Sequence, residues 1–160
     1  MDPLLQSIIL SMLPIAELRG GIPLAIYNGV HPVLAFVVCV AANFAIVPLV
    51  YLFLDYIHHH LLVFSWYKRG FDHFLERARR KTHHYVEKYG YLGLAIFVAI
   101  PLPMTGAYTG TLAAWFFEMN KKKAFLAIAC GVVVAGLVVT MVVLGGVKAL
   151  DIFIKIVNGR

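Results

Sequence analysis

Three stretches of this chain contain no Asp, Glu, Lys or Arg, and each is long enough to cross a membrane. They cover residues 20–54, 89–117 and 124–147, whereas a spanning helix needs only about 20 apolar residues. Apolar residues make up 61% of the chain and charged residues 14%, and the mean hydropathy is +0.83, which excludes an ordinary soluble domain. Because lipid offers the backbone no hydrogen-bond partners, we predict an all-α integral membrane protein.

The chain also contains an internal repeat. Residues 13–36 recur 89 positions later, so that Leu13-Pro14 corresponds to Leu102-Pro103 and Gly21 to Gly110. In both copies, prolines and glycines interrupt an apolar run. Paired interruptions of this kind are typical of secondary transporters, in which the substrate site lies where the breaks meet.

Positively charged residues predict the topology. Seven Lys and Arg lie in the connector between the copies, residues 58–89, and three more follow at residues 121–123. If residues 90–117 formed one spanning helix, the two basic clusters would lie on opposite sides of the membrane, against the positive-inside rule. A re-entrant hairpin removes this conflict, because half-helices of about 11 residues reach the middle of a ~30 Å hydrocarbon core.

We therefore predict an inverted repeat, in which each copy is a re-entrant helical hairpin followed by a transmembrane helix. In the first copy, residues 3–15 enter the membrane, 16–21 turn, 22–28 return and 32–54 cross. In the second copy, residues 92–100 and 106–117 form the half-helices. The whole chain is expected to be one membrane domain, with a first repeat (1–57), a basic connector (58–89), a second repeat (90–150) and a C-terminal tail (151–160). We predict a multi-pass protein of the plasma membrane, with the connector in the cytoplasm and both termini outside.

The connector interleaves its basic residues with aromatic and aliphatic ones. This pattern predicts an amphipathic helix pair or a helical extension at the membrane interface, in contact with anionic headgroups. A solvated connector is the alternative, and nucleic acid is not expected as a partner between membrane spans. Histidines at 58–60 and 83–84 lack a carboxylate or cysteine set at ligand spacing, so we predict no metal and no other cofactor.

Two charged side chains, Glu17 and Arg19, lie within the predicted hydrocarbon region. A charge at that depth costs at least ~2.5 kcal/mol, so it is kept only where it has a partner or a task. One alternative is a mutual ion pair that holds the break in place. Residues two apart do not face each other on a regular helix, which argues against that pair unless the backbone is unwound there. We predict that Glu17 and Arg19 bind substrate or a coupling ion, together with Gly20, Gly21 and Pro23.

The second break carries hydroxyl groups and glycines instead of charges. Half-helices that begin near the midplane direct their positive dipole ends and unpaired N–H groups into one volume, so we predict an anion site there. Its predicted residues are Pro101, Pro103, Thr105, Gly106, Tyr108, Thr109 and Gly110. The glycines could instead serve close helix packing. Asn43 is expected to form an interhelical hydrogen bond, and Asp55 to be an interfacial anchor.

The motifs at the two breaks resemble a known family. The segments are Glu17-Leu-Arg-Gly-Gly-Ile-Pro23, Tyr89-Gly-Tyr-Leu-Gly-Leu-Ala95 and Pro101-Leu-Pro-Met-Thr-Gly-Ala-Tyr-Thr-Gly110. They look like those of the small multi-drug export protein family of bacteria and archaea. This resemblance covers most of the chain and implies a transporter without giving its substrate.

The layout is also similar, more distantly, to the DedA superfamily. The two facing re-entrant hairpins of those proteins are associated with moving phosphorylated lipid carriers across the bilayer. DedA proteins carry arginines around the proline of the second hairpin, where this chain has Ile100 and Gly106. Arg19 would then be the sole fixed cation for a phosphate, and backbone dipoles with Thr105, Tyr108 and Thr109 would complete the site.

These observations predict a small secondary transporter, not an enzyme, that moves an anionic amphiphile or a phosphorylated lipid carrier such as polyprenyl phosphate. Arg19 would bind the anion, and Glu17 would carry a proton or act as counter-ion. The alternatives are an efflux transporter of small cationic drugs, with Glu17 binding the cation, and a non-transporting accessory subunit. A membrane enzyme is disfavoured, because the spans contain no Asp pair and no metal-ligand cluster. Since four membrane elements are few to enclose a pathway, we expect a homodimer in contact with membrane lipids.

Overall fold

The computed structural model describes residues 2–61, 64–101 and 105–157, which fold into seven α-helices and one π-helical turn. In chain order the helices are α1 (Pro3–Met12), α2 (Glu17–Tyr27), α3 (Pro32–Leu52), α4 (His58–Leu61), α5 (Ser65–Ala99), α6 (Ala107–Phe116) and α7 (Lys121–Val157), with the π-helical turn at Phe53–Ile57. No strand occurs in these described ranges. The all-α prediction is confirmed.

Two helical segments are long and apolar enough to cross a membrane. Pro32–Ile57 joins α3 to the π-helical turn and has a mean hydropathy of 2.6, and Lys121–Gly146 within α7 has a mean hydropathy of 2.8. The first agrees with the predicted crossing at residues 32–54. Helix α7 continues to Val157, so the described part of the predicted tail is helical as well.

The two copies of the repeat make equivalent backbone hydrogen bonds at positions 89 residues apart. After α2, Gly29 has a φ of 82° and the N–H of Val30 donates to the carbonyl of Ala25 at 3.0 Å. After α6, Glu118 has a φ of 51° and the N–H of Met119 donates to the carbonyl of Ala114 at 2.9 Å. Each residue of the second turn lies 89 positions after its counterpart in the first. The two copies therefore form the same turn.

The helices that follow these turns also begin in the same way. His31 Nδ1 accepts a hydrogen bond from the N–H of Val33 at 3.3 Å before α3. Its repeat counterpart Asn120 accepts with Oδ1 from the N–H of Lys122 at 3.1 Å before α7. Side chains that accept from the first turn satisfy helix N–H groups that have no partner within the helix. The orientation of the two copies relative to a membrane stays a prediction.

The first break lies earlier in the chain than predicted. We expected residues 16–21 to turn, but α1 ends at Met12 and α2 begins at Glu17. The cause is Pro14, because a proline disfavours the helical conformation in the residue before it. Leu13 accordingly has an extended backbone, with φ −81° and ψ 138°. The predicted turn at residues 16–21 and the predicted return at 22–28 are therefore wrong in their boundaries.

Gly20 and Gly21 do not form a turn but lie within α2, where they pack against α1. A Cβ at position 21 would collide with Ser11 Oγ and would lie 2.7 Å from the carbonyl oxygen of Ser7. A Cβ at position 20 would lie 3.2 Å from Leu10 Cδ2. The two glycines thus allow α2 to approach α1 closely, as small residues do between membrane helices.

The second break lies where it was predicted. The half-helices were expected to end at residue 100 and to begin again at residue 106, and both boundaries differ from the structure by one residue. Helix α5 ends at Ala99, Ile100 has an extended backbone with φ −71° and ψ 118°, and α6 begins at Ala107. Pro101 accounts for the extended residue before it. Residues 90–117 therefore do not form one continuous helix. That this segment is a re-entrant hairpin stays a prediction.

The described part of the connector continues directly into the second repeat. Helix α5 runs from Ser65 to Ala99, and Gly90, with φ 55° and ψ −125°, divides it into two helical segments. A residue with a Cβ rarely adopts that conformation, whereas glycine does so readily. Residues 65–89 of the predicted connector are therefore helical, and their contact with lipid headgroups stays a prediction.

Helices α3 and α7 lie at the centre of the bundle. Helix α3 contacts α1, α2 and α6, whereas α7 contacts α5, α2 and α6, and α3 and α7 contact each other. These contacts are largely preserved when the repeats are exchanged, because α1 corresponds to the end of α5, α2 to α6 and α3 to α7. The buried core includes Ile22, Val47, Leu94, Val98, Ile128 and Val132.

Gly131 allows α7 to approach α5. A Cβ at this position would lie 2.7 Å from the carbonyl oxygen of Ala95 and 2.7 Å from the Cβ of Val98. We expect Gly131→Ala to overpack this contact and to cost about 1–3 kcal/mol of stability, measured as a lower Tm of the detergent-purified protein. Gly145→Ala is the matched control, because an added Cβ there would meet nothing within 4 Å. An equal loss of Tm in both variants would contradict the prediction.

Candidate functional site

The two helix breaks contact each other through hydrogen bonds. Arg19, in the first turn of α2, donates from Nη2 to the carbonyl oxygen of Ile100 at 3.2 Å and to Thr105 Oγ1 at 3.1 Å. In the opposite direction, the N–H of Tyr108 in α6 donates to Glu17 Oε1 at 3.4 Å. The structure therefore brings together four residues that the sequence predicted for one site, Glu17, Arg19, Thr105 and Tyr108.

Glu17 and Arg19 form an ion pair, with Arg19 Nη1 3.1 Å from Glu17 Oε2. The Glu17 side chain is buried, with 4% of its surface exposed, and that of Arg19 is 15% exposed. The spacing of two residues argued against this pair on a regular helix. Glu17, however, has a φ of 48° and therefore a left-handed backbone at the start of α2, which changes the direction of its side chain. The stated exception of a non-helical backbone therefore applies, and the two side chains form a direct pair.

The carboxylate of Glu17 occupies the N-terminus of α6. A Cβ at position 106 would collide with both carboxylate oxygens, so glycine at this position makes room for them. The N–H groups of Ala107 and Tyr108 hydrogen-bond to the carboxylate. A helix N-terminus favours negative charge. The anion site that the sequence predicted at the second break thus holds the chain's own carboxylate.

Glu17 and Gly106 are also counterparts in the repeat, because they lie 89 positions apart. Equivalent positions can touch only close to the axis that relates two copies. Their contact is what a pseudo-twofold axis near the ion pair would produce, and that axis stays a prediction.

Arg19 has one hydrogen-bond donor for which the described residues offer no partner. Its terminal nitrogens bond to Glu17, Ile100 and Thr105, but Nε is buried and has no partner in the described part of the chain. Such a group is unusual, since most buried polar atoms are satisfied. Within the described part of the chain, Arg19 Nε is therefore a buried donor that a ligand oxygen could satisfy.

The other predicted residues lie around this contact without joining it. Gly20 and Gly21 pack against α1, and Pro23 lies inside α2. Thr109 is buried. A Cβ at Gly110 would lie 2.6 Å from Val98 Cγ2, so this glycine serves close helix packing, the alternative that the sequence left open. Pro101 is exposed after α5. Pro103 lies outside the described residues.

Sequence reasoning missed two backbone carbonyls in the site. The Tyr108 hydroxyl donates to the carbonyl of Met12, at the end of α1, as Arg19 donates to the carbonyl of Ile100. Carbonyls at helix ends have no partner within the helix. The predicted breaks could therefore have indicated that the carbonyls of Met12 and Ile100 would accept hydrogen bonds from the site.

The predicted interhelical hydrogen bond of Asn43 is confirmed, because its Nδ2 donates to the carbonyl of Ser11 at 3.2 Å.

An apolar cavity of about 410 Å³ lies next to the site, between α3, α5 and α6. Tyr108 lines the cavity and also contacts Glu17, so it joins the two. Tyr67 and Phe71 from α5 and Phe53 from the π-helical turn contribute aromatic surface. Aliphatic residues of α3, the π-helical turn and α6 line the remainder. Burial raises the pKa of the Tyr67 hydroxyl, which lies 3.1 Å from His58 Nδ1. The cavity can accept an apolar or aromatic group beside the ion pair.

A helical chain with two membrane-crossing segments and a buried ion pair between broken helices has the features of a helical membrane transport protein. The family model described as "Putative small multi-drug export protein" matches residues 17–138. The chain belongs to this family, as its motifs predicted. Searches of curated proteins and of solved structures found no match. The more distant similarity to the DedA superfamily stays a prediction.

The contact between Glu17 and Gly106 can be tested by a double-mutant cycle. We expect Gly106→Ala to lower the Tm of the purified protein, because the added methyl group displaces the carboxylate from the N-terminus of α6. In a Glu17→Ala background the same substitution should be nearly neutral, with a coupling of about 1–3 kcal/mol between the two positions. Additive effects would show that the two positions do not interact.

Proposed function

We propose that this protein is a small secondary transporter that moves an anionic amphiphile through the junction of its two helix breaks. The observation that carries this proposal is the buried Glu17–Arg19 ion pair beside an apolar cavity of about 410 Å³. Charges at membrane depth are costly and mark substrate or ion pathways. Arg19 would bind the anionic group, and the cavity would hold the hydrocarbon part of the substrate.

The hydrogen-bonding capacity of the ion pair favours an anion over a cation. The Glu17 carboxylate already accepts from Arg19 and from the N–H of Tyr108. Arg19 Nε, in contrast, has no partner among the described residues. Leaving a buried donor unpaired costs free energy, and a phosphate oxygen would satisfy it. We therefore propose a phosphorylated lipid carrier, such as polyprenyl phosphate, as the substrate class.

Proton coupling would follow from competition for Arg19. A substrate anion that replaced the Glu17 carboxylate beside Arg19 would leave that carboxylate buried without its counter-charge, which is strongly unfavourable. Protonation of Glu17 removes this cost. Substrate and proton would then bind together, and the direction of net movement would depend on the two gradients.

The hydrogen bonds across the junction would change during transport. We take α1 with α2, and the end of α5 with α6, as re-entrant hairpins whose tips meet near the bilayer midplane from opposite faces. The matching turns and the exchangeable helix contacts of the two repeats support this arrangement. Rocking of one repeat against the other would expose the ion pair to each side in turn.

We also propose that two copies associate in the membrane. Each copy supplies few helices to surround a pathway. Helices α3 and α7 expose apolar side chains such as Val37 and Met141, which lipid or a second copy would cover.

Export of small cationic drugs is the second candidate. The family description names multi-drug export, and the cavity is lined by Tyr67, Phe71 and Tyr108, whose ring faces attract cations. In this case Glu17 would bind the cation in place of Arg19.

A transport assay in proteoliposomes tests the main proposal. Glu17→Gln and Arg19→Ala should each reduce uptake of a polyprenyl phosphate analogue by about tenfold or more, because each leaves a buried charge without its partner. Glu76→Gln and Arg79→Ala are matched controls, since these residues form an exposed ion pair at 3.7 Å on α5. They should transport normally.

Several results would decide against this proposal. Transport of a cationic dye that Glu17→Gln abolishes and Arg19→Ala does not would favour the second candidate. Full activity of the charge-reversed double variant, Glu17→Arg with Arg19→Glu, would assign the pair a structural role. Normal function after Glu17→Gln would favour an accessory subunit.

The proposed topology places the connector and residues 121–123 on the cytoplasmic face. We expect single cysteines at Arg79 and Lys122, in a background lacking Cys39 and Cys130, to be unreactive to an impermeant maleimide added outside intact cells. Both should react after permeabilisation, because both basic clusters obey the positive-inside rule only on that side. Labelling of one without the other in intact cells would contradict this topology.

A further inference from the structure

A second cavity lies away from the ion pair, between the end of α3 and the start of α7. Its volume is about 540 Å³. The walls are apolar and are formed by Pro48, Leu52, Phe125 and Leu126, whereas Asp55, Lys121 and Lys122 contribute charged groups. The cavity shares no lining residue with the contact between the two helix breaks.

The cavity is lined by two positively charged side chains and one negatively charged side chain. Lys121 forms an ion pair with Asp55, and its ammonium also lies 5.6 Å from the ring centroid of Tyr51. Lys122 has no ion pair within the described ranges 2–61, 64–101 and 105–157. One positive charge therefore remains uncompensated, and it is available to an anion.

A buried hydroxyl gives a second and independent indication of a ligand. Tyr51 lines the cavity and is 8% exposed. Its hydroxyl oxygen is buried and has no hydrogen-bond partner in the part of the chain that the structure describes. Buried hydroxyl groups normally have a partner, so an oxygen atom of a ligand would satisfy this one.

The position of the cavity indicates which anion it binds. It lies where one apolar span ends and the other begins, at Pro32–Ile57 and Lys121–Gly146, which is the depth of lipid headgroups. Leu52 is 55% exposed and Leu126 is 64% exposed. A free phosphate ion would leave these walls uncovered, whereas an acyl chain would cover them. Basic pockets between membrane helices commonly receive anionic headgroups.

We propose that this cavity is a binding site for an anionic phospholipid with a single phosphodiester charge. The phosphate contacts the Lys122 ammonium, the Tyr51 hydroxyl donates to a lipid oxygen, and an acyl chain lies on the wall formed by Leu52 and Leu126. Because the site joins α3 of one repeat to α7 of the other, the bound lipid stabilises the contact between the repeats. This inference does not depend on the proposed transport activity.

Native mass spectrometry of the full chain in neutral detergent, titrated with phosphatidylglycerol or phosphatidylcholine, tests the site. We expect phosphatidylglycerol to bind more tightly and to raise the Tm. Lys122→Gln should weaken that binding about fivefold, the effect expected of one basic residue near anionic lipid. Tyr51→Phe should weaken it as well. Because Lys122 is exposed, the Lys122→Gln variant should keep its Tm in detergent without lipid.

Lys123→Gln is the matched control. It removes the same charge from the adjacent residue, but the Lys123 ammonium lies 5.9 Å from the ring centroid of Tyr91, and Lys123 does not line the cavity. An equal loss of affinity in both lysine variants would show unspecific surface attraction and overturn the proposal. Equal affinity for the two lipids, no binding of either, or competition by millimolar inorganic phosphate would overturn it too.

Discussion

The carboxylate of Glu17 connects two parts of the chain that lie far apart in sequence. It pairs with Arg19 in its own helix and accepts from the N–H of Tyr108, 91 residues away. The contact requires a left-handed backbone at Glu17 and the absence of a side chain at Gly106. In an environment of low dielectric constant such charge-assisted bonds are strong. Together with the hydrogen bonds of Arg19 to Ile100 and Thr105, this group fixes the position of one helix break relative to the other.

The same interaction explains how the protein tolerates two charged side chains inside an apolar helical bundle. Arg19 and Glu17 neutralise each other, and the polar ends of α1, α5 and α6 supply most of the remaining hydrogen bonds. Among the described residues, Arg19 Nε is the atom of this pair that lacks a hydrogen-bond partner.

The two copies of the repeat are alike in their turns and different in their chemistry. Gly29 and Glu118 form equivalent turns, and His31 and Asn120 cap equivalent helices. At the breaks, however, Glu17 corresponds to Gly106. A carboxylate and a glycine at equivalent positions fit together where two carboxylates would repel and two glycines would leave a void. Divergence between the copies thus produced the polar contact that joins them.

The sequence by itself determined the helical membrane class, the crossing at α3, the existence of both breaks and the identity of the buried charges. These features depend on local physics, since proline changes only the few residues before it and apolar length decides what can cross lipid. Tertiary structure decided that Arg19 pairs with Glu17, that Gly20 and Gly21 pack instead of turning, and that the N-terminus of α6 is already occupied. The Arg19–Glu17 pair depends on the left-handed backbone of Glu17, which the sequence pattern does not reveal. The other contacts join residues that only the packing of α1, α2 and α6 brings within reach, and no local pattern encodes a distance between them.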